Sequence, residues 1–337
     1  MQKLLPRIIV AAGIILVIVA YMASNIFQSV REPVQFDEEV FIDLKPGSSI
    51  RTLSNQLARH GLLDHPDYFL IWGRLTGKAT RLQAGEYLFS PGQSLAELVD
   101  DMVSGRVKQY SLTLVEGWTF REFLQALAAH DAVEHTLEGV AYEDVMKTLG
   151  YADRHPEGRF FPDTYFIHKS TRDTDVLKRA YQQMEAHLNS LWSQRDDNLP
   201  FKTPYEALIM ASIVEKESAV PDERPVIAGV FINRLRKGMR LQTDPTVIYG
   251  IGEAYDGDIR FKDLRTDTPY NTYTRKGLTP TPIAMPGIGA LKAVMHPADT
   301  GYFYFVATGD GSGQHVFSRT LDEHEKAVDK YQRKRNR

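Results

Sequence analysis

ASIVEKESAV, Ala211 to Val220, is the stretch from which the rest of the chain can be read. It closes an apolar run with helical spacing and places Glu217 directly before Ser218. Ala207, Ala211 and Val214 fall on the helical face of Glu217, whereas Leu208 and Ser212 fall with Glu215. The two acids stand about 200° apart around an α-helix, so both cannot face one cleft. A carboxyl held against apolar surface keeps its proton near neutral pH, as a general acid must. The small side chains beside Glu217 leave room for a substrate. Glu217 is therefore the expected catalytic carboxyl, and Glu215 is its rival.

Outward from this stretch, Pro204 suits the first position of the helix that carries Glu217, and Pro221 marks its end or a kink. Pro225–Leu235 resumes as a helix that Gly238 closes, and Asp175–Trp192 reads as a long helix with Val176, Ala180, Met184 and Leu188 on one stripe. Three earlier segments share one local design. Phe41–Leu44, Tyr87–Phe89 and Leu112–Val115 read as strands, each followed by a turn at Pro46-Gly47, Pro91-Gly92 or Glu116-Gly117. Ser49, Ser94 and Thr119 are then the N-caps of amphipathic helices. Pro66–Leu75 adds a second helix between the first two strands. The pattern is α+β, with a small β/α module over 40–110 and a larger mixed domain over 111–333.

Ile8 to Ile26 is uncharged and mostly apolar, and at helical rise it spans roughly 28 Å, close to the core of a bilayer. Lys3 and Arg7 precede it, and Glu32, Asp37, Glu38 and Glu39 come after it. The positive-inside rule makes 1–7 cytoplasmic and 8–27 a single transmembrane anchor, with the remainder outside the cytoplasm. A cleaved signal peptide is the competing reading; the run is long for one, and no clean small-x-small site comes after it. The absence of cysteine from all 337 residues excludes disulfides, thiol catalysis and Cys-ligated zinc. A net charge of −3 without a basic, aromatic-interleaved patch argues against nucleic acid. The basic tail Lys330–Arg337 reads as a solvated helix end. His296, His315 and His324 lack metal-ligand spacing and read as structural or surface residues, so neither metal nor cofactor is expected. GDGSG, Gly309–Gly313, reads as a hairpin tip between Tyr302–Ala307 and His315–Phe317 rather than a phosphate loop.

Polar candidates cluster downstream of the acid. Ser218 adjoins it. Gln242, Thr243 and Asp244 occupy a loop before an expected strand, where they would either bond a substrate or cap a turn. Asn233, on an apolar helix, would either orient Glu217 or link two helices. Tyr270, Asn271, Thr272 and Tyr273 would form a cleft wall or a Tyr-rich loop packed on the core, and Pro280, Pro282 and Pro286 stiffen the segment after them.

EGRFFPDTYFI (Glu157–Ile167), RLQTDPTVIYG (Arg240–Gly250), YNTYTRKGLTPTPIAMPG (Tyr270–Gly287) and HPADTGYFYFVATGDGSGQHVFSRT (His296–Thr320) together resemble the MltG-type, or YceG-like, endolytic murein transglycosylases. The resemblance covers essentially the whole chain. It implies cleavage of the β-1,4 bond between N-acetylmuramic acid and N-acetylglucosamine within peptidoglycan, giving 1,6-anhydro ends. One carboxyl, placed by the motif match at Glu217, would act as acid and then base. The resemblance also implies work beside peptidoglycan synthases such as penicillin-binding proteins, at the inner membrane with the C-terminal domains periplasmic. The 40–110 module resembles LysM, which implies either glycan binding or a spacer role. Two other functions stay open. A muramidase using water would need a second carboxylate, for which Asp244 is the candidate. A glycan-binding tether would need no acid at all.

Overall fold

A computed structural model of the chain describes residues 4–218 and 220–333. Residues 1–3 of the expected cytoplasmic segment, Ala219, and 334–337 of the basic tail lie outside them. The fold is mixed α and β, and the chain divides into two compact units, 1–110 with 166–170, and 111–165 with 171–337.

The first unit begins with α1 (Leu4–Arg31). Over Arg7–Arg31 this helix is long and apolar enough to cross a membrane. Ile8 to Met22 expose most of their large apolar side chains, whereas Ile26 and Val30 are buried in the core of the unit. The helix thus runs past the expected limit of the apolar stretch, because its last turns pack on the helices after it. β1 (Val40–Leu44) and β2 (Gly85–Phe89) pair antiparallel, with Ile42 opposite Tyr87. Ile42 and Leu44 point inward and Phe41 and Asp43 outward, the period-2 alternation of a half-buried strand. α2 (Ile50–Arg59) and α3 (Pro66–Leu75) lie between the strands, and α4 (Leu95–Ser104) comes after them. Ser49 and Ser94 cap α2 and α4 in closed capping boxes with Thr52 and Glu97.

β3 (Tyr110–Thr113) leads into the second unit, where Thr119 caps α5 (Phe120–Ala128) with Glu122, the third use of the same device. β4 (Val133–Glu134), α6 (Val145–Thr148) and β5 (Thr164–Ile167) are next, and β6 (Thr171–Arg172) pairs parallel with β4. The centre is helical: α7 (Asp173–Ser193), α8 (Pro204–Glu217), α9 (Arg224–Arg236), α10 (Asp244–Ile251), α11 (Phe261–Arg265) and α12 (Ile288–Met295). A hairpin of β7 (Tyr304–Ala307) and β8 (His315–Ser318) and a last helix, α13 (Leu321–Val328), complete it.

Two expectations change. Gln242–Asp244 lead into a helix, α10, not a strand. Thr246, Val247 and Ile248 suggest a strand by composition, but Pro245 fits the first turn of a helix and α10 packs on α8. The Glu217 helix, whose spacing gave Glu217 and Glu215 separate faces, is also buried on both of them. Every residue of α8 from Ala207 to Val214 is buried, and α7, α9, α10 and α12 surround it. A helix apolar on all sides is a central core helix. Its Leu and Ile side chains each stabilise the fold by roughly 1.5–3 kcal/mol through burial.

Candidate active site

Glu215 and Glu217 both end α8, and on a helix without a solvent face their burial does not separate them. Their partners do. Glu215 is held on both oxygens: Arg224 Nη2 donates to Oε1 at 2.8 Å, and the Gly287 N–H donates to Oε2 at 2.9 Å. Burial raises its pKa, while the Gly287 bond and Arg224 pull it back. Gly287 is the N-cap residue of α12, so Glu215 ties α8 to α9 and to the start of α12.

Glu217 is half-buried and held on one side only. Thr243 Oγ1 donates to Oε2 at 2.5 Å, and among the described residues Oε1 has no hydrogen-bond partner. Burial among protein atoms pushes its pKa up. The Thr243 bond opposes this, the charge of Asp244 adds to it, and His315 and Arg234 weakly counter it. The residue keeps part of its surface open while its carboxyl is crowded by protein, which suits a proton donor meeting a substrate from one side.

Thr243 is itself locked. Its N–H donates to Thr272 Oγ1 at 3.1 Å, Thr246 Oγ1 meets Thr272 Oγ1 at 2.8 Å, and Gln242 N–H donates to Thr272 O at 3.2 Å. Thr243, Thr246 and Thr272 are all buried. To deliver Thr243 here, Gln242 takes a left-handed backbone with φ +49°, a conformation costly for a residue with a Cβ. Asp244, exposed at the start of α10, accepts from Tyr273 Oη at 2.6 Å. Burial and the bond to Asp244 raise the Tyr273 phenol, so it stays a donor.

Glu217, Thr243, Asp244 and Tyr273 are therefore brought together by one chain of bonds, with Gln242 on its rim. The other candidates direct their polar groups elsewhere. Ser218 is buried; its hydroxyl donates to Val220 O at 3.0 Å and accepts from Val220 N at 3.1 Å, closing the turn after α8. Asn233 Nδ2 donates to Tyr302 O at 3.1 Å, joining α9 to the approach to β7 rather than to a second helix. Asn271 Nδ2 donates to the carbonyls of Asp263, Leu264 and Thr266 and fastens the end of α11. The Tyr270 hydroxyl meets Thr281 Oγ1 at 2.8 Å, and its ring lies edge-on to Tyr249.

Two charged-type residues not singled out from the sequence are also buried in this unit. Arg234 is buried on α9, with Nε donating to Phe303 O at 2.6 Å and Nη1 to Leu241 O. A charge inside the apolar run Val230–Leu235 was the signal for it. Glu157, which opens one of the quoted motifs, is 1% exposed. Its Oε1 accepts from Phe120 N at 3.0 Å, and its Oε2 accepts from Tyr249 Oη at 3.0 Å. Burial pushes its carboxyl up to about 7, against the pull of these hydrogen bonds. Nothing local in the sequence foretold a contact between residues 157 and 249.

A carboxyl with one free oxygen, its other oxygen fixed by a locked hydroxyl, has the geometry that acid–base chemistry asks for. The chain belongs to the YceG-like family, whose sequence model matches residues 42–330. It is 33% identical over 324 residues to an endolytic murein transglycosylase of Bacillus subtilis strain 168, covering 90% of this chain and 88% of that one. It is 28% identical to an endolytic murein transglycosylase of Streptococcus pneumoniae D39, covering 86% of this chain and 58% of that one. A crystal structure of a YceG-like protein from Listeria monocytogenes superimposes with a TM-score of 0.54 at 29% identity, covering 86% of this chain and 99% of that one.

Proposed function

We propose that this chain is a membrane-anchored, endolytic lytic transglycosylase of peptidoglycan with Glu217 as its acid and base. The free Oε1 of Glu217, beside the locked Thr243 hydroxyl, is the observation that carries the reading. The protonated carboxyl gives its proton to the oxygen between N-acetylmuramic acid and N-acetylglucosamine as the C1–O bond breaks. The carboxylate then takes the proton of the muramic acid 6-hydroxyl, whose oxygen bonds to C1. A 1,6-anhydro end and a free N-acetylglucosamine 4-hydroxyl result, with no water consumed. The raised pKa of Glu217 suits the first step, and the hydroxyl bond that stabilises its anion suits the second.

Gln242, Asp244 and Tyr273 are assigned to the substrate side; Ser218, Asn233, Tyr270 and Asn271 are assigned to its support. Residues 8–27 are taken as the anchor, with 1–7 cytoplasmic and the rest periplasmic at the inner membrane. The domain layout proposed is a LysM-like module over 40–110, arranged β1-α2-α3-β2-α4, and a catalytic domain over 111–333. A tether confines the active site to glycan near the bilayer and raises its effective concentration there. That location fits release of nascent strands beside peptidoglycan synthases.

Mass spectrometry of purified peptidoglycan digested by the full-length protein in detergent tests the reading, alongside Glu217→Gln. Anhydro ends from the wild type and none from the variant are expected. Reducing ends would instead make it a muramidase, with Asp244 as the second carboxylate. Anhydro ends from both proteins would remove Glu217 from its role.

A further inference from the structure

His315 opens β8 just after the glycine-rich tip of the hairpin. Glu223, one residue before α9, grips it twice: Oε1 accepts from the His315 backbone N–H at 2.9 Å, and Oε2 meets Nδ1 at 2.8 Å. Both side chains are largely buried, at 11% and 15% exposure. Phe305 packs edge-on to the imidazole at 5.3 Å, so the ring has little freedom to turn. An ionised carboxylate only accepts, so Nδ1 carries the proton and a neutral His315 has its lone pair on Nε2.

Nε2 has no hydrogen-bond partner among the described residues. It is also absent from the sealed, partnerless atoms there, which are Gln56 Oε1, Arg224 Nε and His324 Nδ1. With Nδ1 held by Glu223, Nε2 is the ring nitrogen left for a further partner. The hairpin that carries it is near the acid in the fold. The hairpin tip lies against the segment that leads away from Glu217: a Cβ on Gly313 would stand 3.5 Å from Val220 Cγ2.

We propose that His315, aimed by Glu223, is a substrate-binding residue of this site whose Nε2 accepts a hydrogen bond from a hydroxyl or acetamido N–H of the amino-sugar strand. The inference deepens the transglycosylase reading and rests on it. Glu223 is a positioning residue, since it acts through the imidazole.

The test compares full-length wild type, His315→Asn, His315→Gln and Glu223→Gln in detergent. Asn places an amide nitrogen near Nδ1, keeping the bond to Glu223 while removing Nε2. Gln places its amide near Nε2. In Glu223→Gln the amide can donate to Nδ1, which moves the imidazole proton to Nε2 and turns the acceptor into a donor. His315→Asn should lower kcat/KM for anhydro-end formation at least tenfold with an unchanged Tm, His315→Gln should recover part of the loss, and Glu223→Gln should resemble His315→Asn. Wild-type kcat/KM in His315→Asn would overturn the proposal. So would a loss of activity that tracks a fall in Tm and is not relieved in His315→Gln. A wild type that makes no anhydro ends would sink the assigned reaction alone. Co-sedimentation with undigested strands, comparing Glu217→Gln with and without His315→Asn, then decides His315: weaker binding in the double variant supports it, and equal binding overturns it.

Discussion

Replacing Glu157 with Gln should make the second unit more stable at pH 8 and no more stable at pH 4.5. Glu157 is 1% exposed, and burial lifts its carboxyl from 4.5 to about 7. Between those values the folded chain holds a proton that the unfolded chain has released. Stability must therefore fall as pH rises, by about 1.4 kcal/mol per pH unit over this window. The total is about 3 kcal/mol, fully lost once pH passes the folded value near 7. An amide has no proton to lose there, and it fits the site. Its oxygen can accept from Phe120 N–H and its nitrogen can donate to Tyr249 Oη, the two groups that now meet the carboxyl. The assay is urea unfolding of wild type and Glu157→Gln at pH 4.5, 5.5, 6.5, 7.5 and 8.5, monitored by tryptophan fluorescence. Glu215 and Glu217 also have raised values and tilt both proteins alike, so the difference between the two curves isolates Glu157. A difference that stays flat with pH, or one that favours the wild type more as pH rises, would refute the reasoning.

Other changes separate chemistry from support. Thr243→Val removes the hydroxyl that stabilises the Glu217 anion, so the Glu217 pKa rises further and the alkaline limb of the kcat–pH profile should move to higher pH. At its optimum, kcat should fall roughly tenfold, the equivalent of about 1.5 kcal/mol for a hydrogen bond to a charged group; a stationary limb would argue that Thr243 does not act on Glu217. Glu215→Gln leaves Arg224 without its close carboxylate and should cost about 3 kcal/mol in urea unfolding, while kcat per folded molecule stays near wild type. Gly229→Ala would set a Cβ 2.3 Å from the backbone carbonyl of Ala298, so α9 must shift, and a lower Tm corresponding to about 2 kcal/mol is expected.

The local elements and the acid-bearing segment were legible from consecutive residues. Ser49, Ser94 and Thr119 announced three helices because a cap is a contact between residues three apart, written in neighbouring letters. Pro66 and Pro204 marked helix starts for the same local reason. Glu217-Ser218 drew attention as a motif. The difference between Glu217 and Glu215 came from tertiary packing. Sequence spacing assigned α8 two faces, yet the surrounding helices bury it on every side, and the distinction lies in Arg224, Gly287 and Thr243, which arrive from other elements. The helix at Asp244–Ile251 was hidden because its β-branched residues favour a strand until packing on α8 overrides them. Glu157 with Tyr249, and Glu223 with His315, join residues 92 apart in each case. Such pairings depend on chain topology, and no periodicity in a single sequence records them.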